Sequence, residues 1–220
     1  LIMGGTGFIG YHIALFAKKK DWKVSSVSLN KPKRERYVKG IKYLRIDITN
    51  LNELKKKIKG SFTYVVNLGG YVEHSVFKGT GNKITKTHLT GVKNLTKIFL
   101  KRRIKKFVQI GSSVEYGNSK APQTEKSYGI LNSSYALAKL KSTKFLVDLY
   151  STKKFPSIIL RFFQVYGPKQ DRNRIFPIII RGCLDKKSIP VSKGNQIRDF
   201  CYIDDILKSI FLTLKSKRTN

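Results

Sequence analysis

Leu1-Ile2-Met3-Gly4-Gly5-Thr6-Gly7-Phe8-Ile9-Gly10 sets three apolar residues ahead of a glycine-rich turn, and an amphipathic stretch follows directly. Each glycine position answers a separate steric demand when a strand turns straight into a helix. Gly4 allows the tight turn, Gly7 lets backbone amides approach a pyrophosphate, and Gly10 permits close contact between helix and sheet. Phe8 and Ile9 open the helix, whose N-terminal amides and dipole face the anion. The turn therefore reads as a dinucleotide site.

Outward from this turn, short apolar runs alternate with amphipathic stretches along the whole chain. Strands are expected at 1–3, 23–29, 42–46, 64–68, 107–110 and 157–162. Helices are expected at 8–19, 50–58, 85–100 and 134–150, where apolar residues recur three and four apart. This order belongs to an α/β fold with a doubly wound parallel sheet. Such sheets bind ligands beyond the carboxyl ends of their strands. Both ends of the chain look cut. Three residues are few for a central strand, and the last helix, 204–217, stops where a substrate region would still need residues. A fragment is expected, with residues 1–165 binding the dinucleotide and residues 166–220 forming a truncated substrate portion interleaved with it.

The 220 residues carry 45 Lys+Arg against 13 Asp+Glu, a net charge of +32. Hydrophobic residues at 40% fill a core and exclude a disordered tail. The longest apolar stretches, such as 176–180, are far too short to cross a bilayer, and no signal peptide is expected at the start. Lysine outnumbers arginine about three to one and is scattered along the chain with no basic stripe, so specific nucleic-acid binding is not expected. Cys183 and Cys201 have no metal-ligand or disulfide spacing and read as ordinary thiols, with the cytoplasm as the expected compartment and no metal site.

Two further segments carry chemistry. Tyr135-Ala136-Leu137-Ala138-Lys139 places a phenol and an ammonium on one helix face. A free phenol titrates near 10, so the lysine is expected to lower it toward neutrality. Gly111-Ser112-Ser113-Val114-Glu115-Tyr116-Gly117 puts Ser112 at the carboxyl end of a strand, where its hydroxyl can hold a substrate oxygen while the tyrosine moves the proton.

With these three motifs in order, together with Leu160-Arg161-Phe162-Phe163-Gln164-Val165-Tyr166-Gly167-Pro168 and Arg198-Asp199-Phe200-Cys201-Tyr202-Ile203-Asp204-Asp205, the chain resembles the extended short-chain dehydrogenase/reductase family over essentially its whole length. That family includes nucleotide-sugar epimerases, dehydratases and 4-keto reductases. The resemblance implies a Rossmann-type domain, a nucleotide-sugar substrate and a homodimer through helices 85–100 and 134–150. It implies Ser112, Tyr135 and Lys139 as the catalytic set. Along the dinucleotide it implies Gly4, Gly7, Phe8, Ile9, Gly10, Ser28, Asn30, Lys31, Arg34, Asp47, Ile48, Leu68, Gly69, Phe162 and Val165, with Tyr135 and Lys139 also in contact. Ser113, Gln164 and Arg198 are implied at the substrate, Arg198 against its diphosphate.

Departures from the family pattern narrow the expectation. Ser28 stands where NAD-preferring members carry an acidic residue, and Asn30, Lys31, Lys33 and Arg34 follow, which favours NADP(H) over NAD(H). The acid and base that 4,6-dehydration needs are replaced by Ser113 and Val114, and valine transfers no proton. The cysteine of double epimerase-reductases is likewise replaced by Val114. A 4-keto reductase and a UDP-glucose 4-epimerase type remain; the missing acidic residue at Ser28 favours the reductase, and segment 111–117 resembles reductases of dTDP-4-keto-6-deoxyhexoses, so that type is expected with the epimerase as the alternative. A non-catalytic dinucleotide sensor is the alternative of another class, and the intact Ser112, Tyr135 and Lys139 set argues against it. His88 and Gln164 occupy positions that are often asparagine, and His88 is expected to be a satisfied structural histidine. His74 has no assigned role. Glu115 is expected either to touch substrate or to be solvated.

Overall fold

Strand β1 (Ile2–Met3) is apolar and buried on both faces, as the centre of a parallel sheet must be. It pairs in parallel with β2 (Ser25–Ser28) on one side and β4 (Tyr64–Asn67) on the other. With β3 (Lys42–Arg45), β5 (Lys106–Ser112) and β6 (Ser157–Phe162), the sheet runs β3-β2-β1-β4-β5-β6, and every pairing is parallel. The strand order reverses between β1 and β4, so the glycine turn stands at the crevice of the sheet. The computed structural model describes residues 1–70, 84 and 86–218, and His74 lies outside the described residues.

Alternation along each strand divides the apolar residues between two layers. Ile2, Val66, Val108 and Ile110 face one core, closed by α1 (Phe8–Lys18) through Tyr11, Ile13, Ala14 and Ala17. Met3, Val65 and Phe107 face the other, closed by α2 (Leu51–Lys57), α3 (Gly91–Phe99) and α4 (Ser134–Lys153) through Leu54, Leu95, Phe99 and Leu146. Asn50 caps α2 by accepting from the Glu53 amide, and Ser133 caps α4 by accepting from the Ala136 amide. Lysines crowd the helix ends, as in Lys18 to Lys20 and Lys55 to Lys57, where the dipole favours cations.

Past the sheet, β7 (Gln164–Tyr166) pairs in parallel with β8 (Phe200–Tyr202), and α5 (Ile175–Leu184) lies between them in sequence. None of these three elements follows from sequence periodicity. The run 176–180 is half-exposed helix, with Ile178, Ile179 and Ile180 open to solvent. The last helix, α6 (Ile203–Lys215), returns to the large sheet and buries Ile206, Ile210 and Leu214 beside α1. A second difference precedes α3, where residues 86–90 form a π-helical turn instead of ordinary helix, an irregularity that often accompanies functional sites. Among the described residues no helix is long and apolar enough to cross a membrane, and no metal-binding cluster is present.

Gly10 shows how tightly the first turn closes. A Cβ there would sit 2.3 Å from the Gly4 carbonyl oxygen and 2.6 Å from the Gly5 Cα. Both neighbours are backbone and cannot swing aside. Gly10→Ala is therefore expected to destabilise the chain by about 1–3 kcal/mol, the usual cost of overpacking, measured by urea unfolding.

Candidate active site

The carboxyl ends of β1, β4, β5 and β6 open on one edge of the sheet, and the sequence-derived residues distribute along it. At the β1 end, Gly7 is exposed, and a Cβ there would meet nothing closer than the Gly4 carbonyl oxygen at 3.4 Å. No side chain caps α1, and its first turn holds no acidic residue, so its amide groups are left for an anion. Gly4 adopts φ +80°, which its lack of a Cβ permits, and packs beneath Leu68. Gly69 and Gly91 both press on Ile48 so closely that a Cβ at either would collide with it. This bare, glycine-walled cleft fits a dinucleotide pyrophosphate.

The loop after β2 is more committed than its sequence suggests. Ser28 is buried, and its hydroxyl accepts from the Thr6 amide at 3.3 Å, tying β2 to the glycine turn. Asn30, Lys31 and Arg34 are exposed, whereas Lys33 lies 3.7 Å from Asp171. Arg36, 4% exposed, donates to the Lys169 carbonyl and to Asp171 at 2.8 Å. Lys169 in turn reaches the Tyr11 hydroxyl at 3.0 Å, and His12 Nε2 meets the Pro168 carbonyl at 2.8 Å. The loop after β2 is thereby clamped to the loop after β7. Asp47 is exposed at the far end, its carboxylate accepting from the amide and hydroxyl of Thr49.

At the β5 end, Ser112, Tyr135 and Lys139 come together. The Ser112 hydroxyl hydrogen-bonds the Tyr135 phenol, and the Lys139 ammonium stands 5.8 Å from the centroid of the Tyr135 ring while donating to the Ile110 carbonyl at 2.8 Å. His88, buried on the π turn, meets the Tyr135 ring edge-on with centroids 5.2 Å apart. Burial pushes the phenol up to about 12, against the lowering hydrogen bond from Ser112. The expectation that Lys139 holds this phenol near neutrality is corrected. Desolvation of the 6%-exposed ring is the largest influence on it, and the Lys139 Nζ is turned to a carbonyl. Burial also brings the Lys139 ammonium down to about 8, with the Glu115 carboxylate opposing.

Glu115 needs a second correction, being neither solvated nor turned to a substrate. It is fully buried and bonded to Ser112, Thr143 and Arg161. Val114 packs against Tyr135 and Ile84, and Ser113 is half-buried on the same turn. Gln164 and Val165 line a cavity of about 230 Å³ whose walls include Tyr166, Gln170, Arg174, Phe176 and Phe200. Tyr166 and Phe176 stack there with centroids 4.2 Å apart. Phe162 is half-buried at the end of β6. Arg198 is not brought to this cavity; it is exposed and bonded to Gln196 at 3.0 Å. Arg174, whose charge lowers the Tyr135 phenol, was missed from sequence, where it is one cation among many.

Comparisons with known proteins agree on the fold. A family model described as the NAD dependent epimerase/dehydratase family matches residues 1–220. A dTDP-D-glucose 4,6-dehydratase of Dictyostelium discoideum is 27% identical over 98% of the chain, which spans 55% of that protein's length. Among solved structures, a UDP-N-acetylglucosamine 4-epimerase of Methanobrevibacter ruminantium in complex with UDP-N-acetylmuramic acid superposes with a TM-score of 0.86 at 27% identity, covering 99% of this chain and 73% of that one. A UDP-glucuronic acid 4-epimerase of Bacillus cereus in complex with UDP-glucuronic acid and NAD superposes with a TM-score of 0.84 at 23% identity, again over 99% and 73%.

The buried ammonium carries a stability signature with a definite sign. Between pH 8 and the ordinary lysine range the unfolded chain takes up a proton that folded Lys139 refuses, so its contribution to stability rises with pH. Lys139→Met removes that slope. The variant is expected to melt several degrees higher than the parent at pH 7, with the gap closing toward pH 10, in thermal scans at several pH values.

Proposed function

Because the chain belongs to the NAD dependent epimerase/dehydratase family, we propose that it is a nicotinamide-dependent oxidoreductase of nucleotide-activated sugars. In this proposal it moves hydride at sugar carbon 4 and works as a 4-keto reductase of the dTDP-4-keto-6-deoxyhexose type. The observation that supports this reading is geometric: the Tyr135 phenol, hydrogen-bonded to the Ser112 hydroxyl at the β5 end with Lys139 behind its ring, is placed to act as an acid toward a substrate oxygen. A general acid is what a ketone needs as it becomes an alcohol.

Bound at the glycine turn, a reduced nicotinamide supplies the hydride. Tyr135 gives its phenolic proton to the oxygen developing at carbon 4, and the Ser112 hydroxyl positions that oxygen. Lys139 stands behind the phenol, where its ammonium would hold the nicotinamide ribose. Residues 1–165 bind the dinucleotide and residues 166–220 serve the substrate, with α6 interleaved. Gln164 and Ser113 belong to the substrate side, and Arg198, exposed and outside the cavity, is assigned to the diphosphate. Dehydration at carbons 5 and 6 is disfavoured by Val114, whose side chain is apolar and packed.

A 4-epimerase is the second reading, favoured by the 4-epimerases among the solved structures and by the NAD carried by the Bacillus cereus enzyme. The choice of NADP(H) rests on Lys31 and Arg34, which are exposed and make no ion pair among the described residues. The comparisons lend that choice no support, since the family description names NAD. We place the protein in the cytoplasm as a homodimer through α3 and α4. The exposed faces of those helices carry Lys93, Lys97, Lys141 and Lys144 against Asp148, so this dimer is expected to sediment as monomer at low ionic strength and to associate as salt screens the repulsion.

The decisive experiment titrates the protein with NADH and NADPH by fluorescence, then follows reduced-cofactor oxidation on adding dTDP-4-keto-6-deoxyglucose. Tyr135→Phe is expected to lower turnover by about 10²–10⁴-fold, the range for a lost general acid, with dinucleotide affinity preserved. Turnover that survives this change would overturn the mechanism. Non-exchanging NAD in the purified protein would establish the epimerase instead.

A further inference from the structure

We propose that Glu115 is a positioning residue for the Ser112, Tyr135 and Lys139 set, its buried carboxylate fixing the backbone of Ser112 and holding the reactive face of α4 against the end of β5. This inference rests on the function proposed above. It starts from a carboxylate with no exposed surface, placed one short turn beyond the serine. Oε1 accepts from the Ser112 amide at 2.8 Å. Oε2 accepts from the Thr143 hydroxyl at 2.7 Å and from Arg161 Nε at 3.0 Å. Three elements thus meet on one group: the turn after β5, helix α4 and strand β6.

Thr143 makes this more than a packing detail. It lies one helical turn beyond Lys139 and two beyond Tyr135, so all three share a face of α4. The bond to Thr143 sets how far that face slides along β5, while the bond to the Ser112 amide sets where the serine hydroxyl points. Gly111 admits the carboxylate, since a Cβ there would lie 2.6 Å from Oε1. Arg161 is itself anchored, donating to the Glu125 carbonyl at 3.2 Å and lying 4.9 Å over the Tyr116 ring.

The carboxylate also acts through its charge. The groups facing Tyr135 and Lys139 are Glu115 from the turn after β5, His88 from the π turn and Arg174 from the start of α5, with Arg161 answering Glu115 from β6. Glu115 raises the lysine and the phenol alike. Removing its charge therefore lowers both, and the cation at Lys139 is lost at a lower pH.

The test compares Glu115→Gln, Glu115→Asp and the double variant Glu115→Gln/Arg161→Met with the parent chain. Circular dichroism and thermal unfolding identify the variants that fold. The double variant removes the unpaired arginine that the single change leaves buried, so it decides the matter if Glu115→Gln does not fold. Two quantities are read: kcat and KM with the 4-keto sugar, and the pH at which NADH and NADPH affinity falls on the alkaline side.

For Glu115→Gln and the double variant, kcat is expected to fall about tenfold to a hundredfold, as small misplacements at a reacting centre do, with KM within about twofold. The alkaline midpoint should move to lower pH in Glu115→Gln. Glu115→Asp, which keeps the charge but withdraws it by one methylene, should lose kcat and keep the parent midpoint. A double variant with parental kcat would overturn the proposal and reduce the ion pair to packing. A parent chain that binds neither dinucleotide is a separate result, which fails the proposed function itself.

Discussion

A carboxylate withdrawn wholly from water must be met by donors on every side, and Glu115 meets a backbone amide, a hydroxyl and a guanidinium. Leaving any one of them out would strand a buried charge or polar group at a cost of several kcal/mol. The positions of the β5 end, α4 and β6 are therefore not independent. Once the carboxylate is satisfied, Ser112 stands at the strand end, and the face carrying Tyr135 and Lys139 is drawn alongside it. The juxtaposition of these three side chains is in this sense a by-product of satisfying one ion.

The other half of the cleft is organised by steric exclusion. Gly10 lets α1 lie against the Gly4–Gly5 backbone, and the sheet reverses its order at that same turn. Arg36 then fastens the loop after β2 to Lys169 and Asp171, beyond β7. The parallel sheet supplies the common edge on which the two halves meet.

Much of this was legible in the sequence. Glycine spacing, strand alternation and helical periodicity place the six-stranded sheet and α1, α2 and α4 within a few residues, because those elements bury regular apolar patterns. Beyond residue 163 the last helix, α6, was legible, but β7, β8 and α5 were not, since β7 and β8 are short and half-exposed and α5 presents its isoleucines to solvent. Within the site, the serine, tyrosine and lysine were legible as motifs, but the state of the tyrosine was not. Local spacing shows a neighbouring cation and does not show how much water burial removes. Arg161 did leave a trace as a charge inside the apolar run 158–163, and such a residue is rarely buried without a partner, here Glu115. Forty-six positions separate them, so the pairing itself emerges only when β5 and β6 lie side by side.

The scattering of cations over the helix ends and loops bears on how fast ligands arrive. With 45 cationic and 13 acidic side chains, and five ion pairs among the described residues, most of this charge is left to act through solvent. No single patch is required for the effect. The summed field draws an anion inward from any direction and raises its encounter rate at low ionic strength. In physiological salt the field is screened beyond a Debye length of roughly 8 Å, so there the attraction acts only close to the surface, where local geometry takes over. Long-range capture thus belongs to the composition of the chain, and discrimination to the few buried groups at the edge of its sheet.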